Sequence, residues 1–158
     1  MIPGTHDAAM RVALDEARIA AASGEIPIGA VVVDENDEVI ARAHNRREAL
    51  HDPTAHAEVL AMRAAAASRG SWRLDGCTLV VTLEPCPMCA GAVAMSRLSR
   101  LVFGAWNEEY GAAGSRWDLV RDRRFNHRAE VISGVMADEC GAMVTEFMRT
   151  HRPGEEQR

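Results

Sequence analysis

Two short segments of the chain hold side chains that bind metal ions or carry protons. His56 and Glu58 lie two positions apart, and Cys86 and Cys89 follow in a Pro-Cys-x-x-Cys sequence. Imidazole and thiolate groups suit Zn²⁺, and three protein ligands leave a fourth position for water, which is typical of catalytic zinc sites. Because zinc lowers the pKa of such a water towards about 7, the spacing predicts a hydrolytic centre. Its expected ligands are His56, Cys86 and Cys89, and Glu58 is the expected proton carrier.

Local structure must bring these groups to one place. The proline after Cys86 is favoured in a first helical turn, so a helix is expected to start there and to present Cys86 and Cys89 on one side. The helix dipole at that end favours thiolates. A second helix is predicted over residues 53–69. Residues two apart on a regular helix diverge by about 200°, so His56 and Glu58 can share one site only at the helix entrance.

The cysteines also admit other interpretations. A Cys-x-x-Cys pair alone is equally typical of a thiol redox protein, and a structural zinc site would need a fourth ligand, which Cys77 or Cys140 could supply. Cys77 opens a predicted strand and Cys140 lies on an apolar helical face, so we expect both to be buried free thiols. The upstream His-Ala-Glu and the proline before Cys86 favour the catalytic interpretation.

Composition restricts the class of protein. The 158 residues are 47% hydrophobic and 26% charged, as in ordinary globular domains, which excludes disorder and fibrous structure. The 18 basic residues, all arginine, and 23 acidic residues leave a net charge of −5, so a nucleic acid would have to meet a local basic patch. The sequence has no apolar stretch of about 18 residues and no export signal near its start, so we expect a cytoplasmic protein without a membrane span.

Apolar periodicity predicts alternating helices and strands. One domain is expected over residues 1–150, with a loose tail over 151–158. Thr5 or Asp7 is the expected cap of the first helix, and a hairpin is expected to follow it. The predicted strands cover residues 29–33, 39–43, 78–83, 101–104 and 130–133, and further helices cover about 115–122 and 136–148. A helix at 115–122 would make the last two strands parallel in a three-layer domain built on a five-stranded sheet.

The chain resembles the bacterial tRNA-specific adenosine deaminases of the cytidine deaminase-like superfamily from about Asp7 to Arg149. The zinc motif has the form of the zinc deaminase signature. The other local matches lie at residues 26–31, 51–58, 81–86, 88–92, 111–115 and 126–128. The resemblance implies a three-layer α/β/α cytidine deaminase-like fold with a five-stranded mixed sheet and helices on both faces. It also implies a homodimer with one Zn²⁺ per subunit, which hydrolyses the adenosine at wobble position 34 of tRNA anticodons to inosine and releases ammonia.

The resemblance also implies roles for individual residues. Glu58 matches the residue that takes a proton from water and delivers it to the purine ring and the leaving amine. Asn45 matches a base-contacting asparagine, although a turn residue after the hairpin would look the same. The substrate-contacting residues that we expect are Asn45, Ala57, Asn107 and Phe147, with Arg46 and Arg47 as candidate phosphate contacts.

Two positions depart from the pattern of the family. Trp106-Asn107 stands where Arg-Asp is usual; Asn107 keeps the capacity to hydrogen bond to sugar or phosphate but carries no negative charge. Phe147-Met148 stands where Phe-Phe is usual, and methionine packs against a base without stacking as an aromatic ring does. Trp106 or Trp117 could compensate, and both residues also fit core packing.

Two other functions use the same motifs. A deaminase of a free base or nucleoside, such as guanine or cytosine, would keep the zinc site and differ in the rim of its pocket. A zinc-stabilised binding module or thiol redox protein would lack hydrolysis and would need Cys77 or Cys140 as a fourth ligand.

Overall fold

The computed structural model describes residues 6–151, and the predicted tail beyond His151 lies outside the described residues. Nine elements follow one another along the chain. The helices are α1 (Asp7–Ala22), α2 (Ala57–Arg69), α3 (Pro87–Met95) and α4 (Ala137–Thr150), and the strands are β1 (Gly29–Val33), β2 (Val39–His44), β3 (Thr78–Leu83), β4 (Arg100–Ala105) and β5 (Glu130–Ile132).

The five strands form one mixed sheet in the order β2-β1-β3-β4-β5. β1 pairs antiparallel with β2 and with β3, whereas β3, β4 and β5 are parallel. A tight turn suffices for the antiparallel β1–β2 hairpin, and α3 provides the crossover that the parallel β3–β4 pair requires. The carboxyl end of β3 therefore runs directly into the segment that holds Cys86.

Helices cover both faces of the sheet because its strand residues alternate between two cores. On one face, Val32, Leu79 and Phe103 belong to the cluster that contains α2 and α3 residues. On the other face, Val31 and Val80 pack with residues of α1 and α4. The expected three-layer arrangement with a five-stranded mixed sheet is confirmed. None of the helices between residues 6 and 151 has the length and apolar content that a bilayer span requires.

Two predicted helix starts are wrong, and one of them lies at the site. The helix expected to begin at residue 53 begins at Ala57. The Asp52 carboxylate accepts hydrogen bonds from the Thr54 backbone and hydroxyl, at 2.8 and 2.7 Å, and this local turn competes with helix formation. At the start of α1, His6 occupies the cap position, Asp7 lies in the first turn, and Thr5 lies outside the described residues.

The helix predicted over residues 115–122 is not present. These residues form turns and one isolated bridge between Ala113 and Asp118. The amides of Arg116 and Trp117 donate to the Gly111 carbonyl, at 3.0 and 3.1 Å, and those of Ala113 and Ser115 donate to the buried carboxylate of Glu84, each at 3.0 Å. β4 and β5 are nevertheless parallel, so a non-helical segment makes this crossover.

Candidate active site

The backbone at the start of α2 allows His56 and Glu58 to share one site. His56 is the residue before the helix, with extended dihedral angles (φ −74°, ψ 150°), and Glu58 lies in the first helical turn. The angular divergence of a regular helix therefore does not apply to this pair. His56 and Glu58 therefore lie at the entrance of the helix, as the motif requires, because α2 begins at Ala57.

The two cysteines occupy the same kind of position on α3. Cys86 precedes the helix with extended dihedral angles, Pro87 is the first helical residue, and Cys89 lies in the first turn. β3 delivers this segment from within the sheet, and the starts of α2 and α3 meet at the same edge. Four functional side chains thus come from two helix N-termini.

The ligand atoms have the separations that a tetrahedral zinc ion requires. The Nδ1 atom of His56 lies 3.6 Å from the Cys86 sulfur and 3.5 Å from the Cys89 sulfur, and the three ligand atoms lie within 4.8 Å of one another. Zn–N and Zn–S bonds of about 2.0 and 2.3 Å at tetrahedral angles would place N and S about 3.5 Å apart. The donor set and its spacing fit zinc.

The contact between the two cysteines shifts their pKa values in opposite directions. The Cys89 thiol donates a hydrogen bond to Cys86, which lowers the pKa of Cys86 to about 4 against the opposing effect of burial, and the His56 ring lowers it further. The same contact and burial raise the pKa of Cys89. The lowered pKa of Cys86 favours its thiolate, which is the form of cysteine that binds a cation, and cation binding would release the proton that Cys89 holds.

Glu58 has an unusual environment for a carboxylate. It is 4% exposed, and burial raises the pKa of its carboxyl. Its Oε1 atom has no hydrogen-bond partner among residues 6–151. Buried polar atoms nearly always have partners, so this oxygen is available to a group that enters the site from outside the chain.

One loop on the rim of the site contains Asn45, Arg46 and Arg47. The Asn45 side chain is buried; its Nδ2 donates to the Ile26 carbonyl at 3.3 Å, and its Oδ1 accepts from the Arg47 amide at 3.1 Å. The amide keeps one N–H and one lone pair for another partner. The side chains of Arg46 and Arg47 are exposed. Ala57, the first residue of α2, is fully buried beside the ligand His56.

A second loop, over residues 106–117, contains Asn107 and both of the tryptophans in question. The Asn107 side chain accepts a hydrogen bond from the Tyr110 amide at 3.1 Å. Trp106 packs edge-on against Phe103, with ring centroids 5.0 Å apart, but keeps 49% of its surface exposed. Trp117 is 44% exposed. Neither tryptophan is a core residue, so both rings are accessible to a ligand.

Phe147 reaches the same edge of the sheet on the opposite face. A Cβ atom on Gly104 would contact Cys140, and one on Gly141 would contact Ala105, so α4 runs along β4 towards its carboxyl end and continues past it. Phe147 is 9% exposed and its ring stacks on His151, with centroids 4.1 Å apart. It therefore lies past the carboxyl end of β4, on the side of the sheet opposite to α2 and α3.

The other two cysteines do not join the metal-ligand cluster. Cys77 and Cys140 are free and buried, as predicted. Within the described part of the chain, the only group of three or more His, Cys, Asp or Glu side chains spaced for a metal is His56, Cys86 and Cys89. A four-ligand structural site that includes Cys77 or Cys140 is therefore not supported.

Sequence reasoning missed two buried carboxylates that hold the rim loops. Glu25 accepts from the amides of Glu48 and Ala49, at 2.8 and 3.1 Å, and Glu84 accepts from the second loop. A signal was present for Glu84, because an acidic residue directly after a buried apolar strand needs partners. For Glu25, in a turn-like segment, the sequence contains no comparable signal.

The fold and the site together define a zinc-dependent deaminase of the cytidine deaminase class. Residues 3–105 match the family model of the cytidine and deoxycytidylate deaminase zinc-binding region. The tRNA-specific adenosine deaminase of Bacillus subtilis (strain 168) is 52% identical over 143 residues, which cover 90% of this chain and 88% of the relative. The chain belongs to this zinc-binding deaminase family and, within it, to the tRNA-specific adenosine deaminases.

Solved structures agree with this assignment. A structure from a study of A-to-I editing by tRNA:A34 deaminases matches with a TM-score of 0.83 and 42% identity, over 86% of this chain and 98% of that chain. The guanine deaminase from Nitrosomonas europaea matches with a TM-score of 0.74 and 32% identity, over 89% of this chain and 83% of that chain. The expected cytidine deaminase-like fold is confirmed.

Proposed function

We propose that this protein hydrolyses the adenosine at wobble position 34 of tRNA anticodons to inosine and releases ammonia. The observation that carries the proposal is the buried Glu58 carboxyl, whose Oε1 has no hydrogen-bond partner among residues 6–151, beside the His56, Cys86 and Cys89 cluster. Its occurrence in a chain 52% identical to a tRNA-specific adenosine deaminase supports adenosine in tRNA as the substrate.

The residues of the site have separate roles in this reaction. His56, Cys86 and Cys89 would hold one Zn²⁺ per subunit, which supplies a Lewis acid that lowers the pKa of water. Glu58 accepts a proton from the attacking water and donates it to the purine ring nitrogen beside the reacting carbon. The same carboxyl then takes the proton of the hydroxyl that has been added to this carbon and delivers it to the amine, so that the C–N bond breaks, a C=O bond forms and ammonia leaves. The raised pKa of Glu58 suits this role, because the carboxyl must hold a proton between the two transfers.

The rim residues would bind the RNA. We assign base contact to Asn45 and Ala57, on the grounds that Asn45 retains an unused donor and acceptor beside the buried start of α2. Arg46 and Arg47 are exposed and suit phosphate contacts. Asn107 and Phe147 complete the proposed surface, and bases of a single-stranded loop would be splayed out between these groups.

The direct test is inosine formation in an anticodon stem-loop that contains A-C-G. Zinc-loaded protein is expected to convert only the wobble adenosine, measured by nucleoside mass spectrometry after digestion. A stem-loop with cytidine at the wobble position is the matched control and should release no ammonia. Absence of inosine from protein with stoichiometric zinc would contradict the proposal.

A free-base deaminase is the second candidate. The likeness to the guanine deaminase from Nitrosomonas europaea favours it, since that protein shares the fold and is 32% identical to this chain. Ammonia release from guanine, cytosine and their nucleosides separates the two functions. Faster release from any of these than from the stem-loop would favour this candidate.

The exposed apolar surface between α2 and α3 supports a homodimer, which we propose as the functional state. It is lined mainly by apolar side chains, among them Val59, Met62, Ala66, Trp72, Ala92 and Met95. Trp72 and Met95 are 61% and 55% exposed. A second copy of the chain would bury this surface and remove its apolar area from water.

Met95→Glu is expected to convert the dimer to a monomer, because a charge at the centre of an apolar interface cannot be buried without a partner. Sedimentation equilibrium measures the change. Ile19→Glu is the matched control, since Ile19 is 48% exposed on α1, across the sheet, and should leave the dimer intact. A monomeric parent protein, or a dimeric Met95→Glu variant, would refute this surface as the interface.

We also assign the protein to the cytoplasm. The proposed substrate, tRNA, supports this location, and so do the cysteine ligands, which bind zinc only in the reduced form that a reducing compartment maintains.

A further inference from the structure

Glu84 is a buried carboxylate that the proposed reaction does not use. It is 1% exposed and follows the last residue of β3. Its backbone amide donates to the Ala105 carbonyl at 2.9 Å, which completes the last pair, Leu83 with Ala105, of the parallel β3–β4 ladder. Among residues 6–151 it forms no ion pair. Because a buried charge is costly without compensation, its hydrogen bonds must stabilise it.

All of the donors to this carboxylate belong to one loop. Oε1 accepts from the Asn107 amide at 3.0 Å and from the Ser115 hydroxyl, and Oε2 accepts from the Ala113 and Ser115 amides, each at 3.0 Å. Four donors satisfy both oxygens of an ionised carboxyl, which only accepts hydrogen bonds. The carboxylate therefore holds the two ends of residues 107–115 at one point.

The loop wraps closely around this carboxylate. A Cβ atom at Gly111 would collide with Oε1 of Glu84 and with the Asn107 carbonyl oxygen. A side chain at position 111 would thus force the loop away from Glu84.

The same loop is tied to the segment that holds the metal ligands. The Ala112 amide donates to the Pro85 carbonyl at 2.8 Å, and Pro85 lies between Glu84 and Cys86. One short segment, residues 84–86, thus contacts the loop on one side and supplies a metal ligand on the other. Asn107, at the beginning of the loop, is held at a set position relative to Cys86.

We propose that Glu84 is a positioning residue: it clamps the loop of residues 107–115 to the metal-ligand segment, so that Asn107 meets the RNA while the target base is at the metal centre. This inference rests on the proposed function. Glu84 acts through the loop and touches neither the metal ligands nor the substrate. Its loss should therefore weaken substrate binding and leave the chemical step largely unchanged.

The variant Glu84→Gln tests the clamp. Its side chain has the same shape, but its NH₂ group faces backbone amides that need an acceptor. We expect KM for the anticodon stem-loop to rise by about tenfold or more, while kcat stays within about threefold and zinc content is unchanged. Hydrogen exchange of the 107–115 amides should accelerate, while exchange in α2 should not.

Asp34→Asn is the matched control. The Asp34 carboxylate also accepts from two backbone amides, those of Asn36 and Glu38, but it lies in the β1–β2 turn at the far end of β1 from the site. This variant should lose protection in its own turn and keep the parent KM.

A second variant tests the clamp even if Glu84→Gln does not fold. Ser115→Ala removes one donor and keeps the carboxylate with its three amides, so KM should rise by about threefold. Unchanged KM or unchanged exchange of the loop in Glu84→Gln, or a fall in kcat alone, would overturn the inference. If Glu84→Gln does not fold, an unchanged KM in Ser115→Ala would overturn it. A parent protein that forms no inosine would refute the proposed function instead, and loop exchange would still report on the clamp.

Discussion

Replacement of Glu58 by glutamine should slow inosine formation by at least about 10³-fold and leave zinc bound at one ion per chain. Positioned proton transfer contributes roughly 10²–10⁴-fold in enzymes, and Glu58 is the proton carrier of both proposed transfers. The amide has nearly the same shape but cannot accept and release a proton. Single-turnover inosine formation and metal analysis on the same sample measure the two effects.

The environment of Glu58 predicts that this variant folds. Burial disfavours the charged carboxylate, and Oε1 has no partner within the described chain. A neutral amide removes the cost of burying a charge, so the thermal midpoint of unfolding should not fall. Glu139→Gln is the matched control: Glu139 is an exposed first-turn glutamate on α4, and its replacement should leave the rate unchanged. Full activity of Glu58→Gln would refute the assigned role.

Loss of either cysteine of the cluster should remove both zinc and activity. Cys86→Ala and Cys89→Ala leave two ligands, too few to hold the ion at the usual tetrahedral site. Zinc should fall from about one ion per chain to near zero, with inosine formation undetectable. Because zinc binds the folded state, the unfolding temperature should fall as well. Atomic absorption and thermal unfolding measure these changes.

Two other cysteines provide the matched controls. Cys77→Ala and Cys140→Ala alter buried free thiols outside the cluster, so both variants should keep one zinc per chain. Loss of zinc from either variant would support the alternative hypothesis of a four-ligand structural site. Zinc should also be released as pH falls, because protons compete for the ligand imidazole and thiolates. A chelator should inactivate the parent protein reversibly.

The chemistry of the site could be predicted from the sequence because it depends on residue type and short spacing. His56 and Glu58 lie within one turn, as do Cys86 and Cys89, so only two segments had to meet. The ligand atoms do lie together in the structure. The layers and the sheet were also predictable, since hydrophobic periodicity reports directly which face of an element is buried.

Local competition for backbone hydrogen bonds was harder to predict. The Asp52–Thr54 turn delays α2 until Ala57, and this delay lets His56 and Glu58 share the site. The helix predicted over residues 115–122 is absent: the amides of Arg116 and Trp117 donate to the Gly111 carbonyl, and Glu84, about 30 positions earlier, accepts from the Ser115 amide. Hydrophobic periodicity is a local pattern, so it cannot predict a hydrogen-bond acceptor that is so distant in the chain.

By itself, the sequence determined the metal-binding residue types, the carboxyl beside them that we propose as the proton carrier, and the class of fold, because each depends on local composition and spacing. Only the tertiary structure decided that α2 starts at Ala57, that Trp106 and Trp117 stay exposed, and that Glu84 holds the second rim loop. These features depend on which distant groups share a buried space. A buried carboxylate needs hydrogen-bond donors, and these donors come from segments that are distant in the sequence.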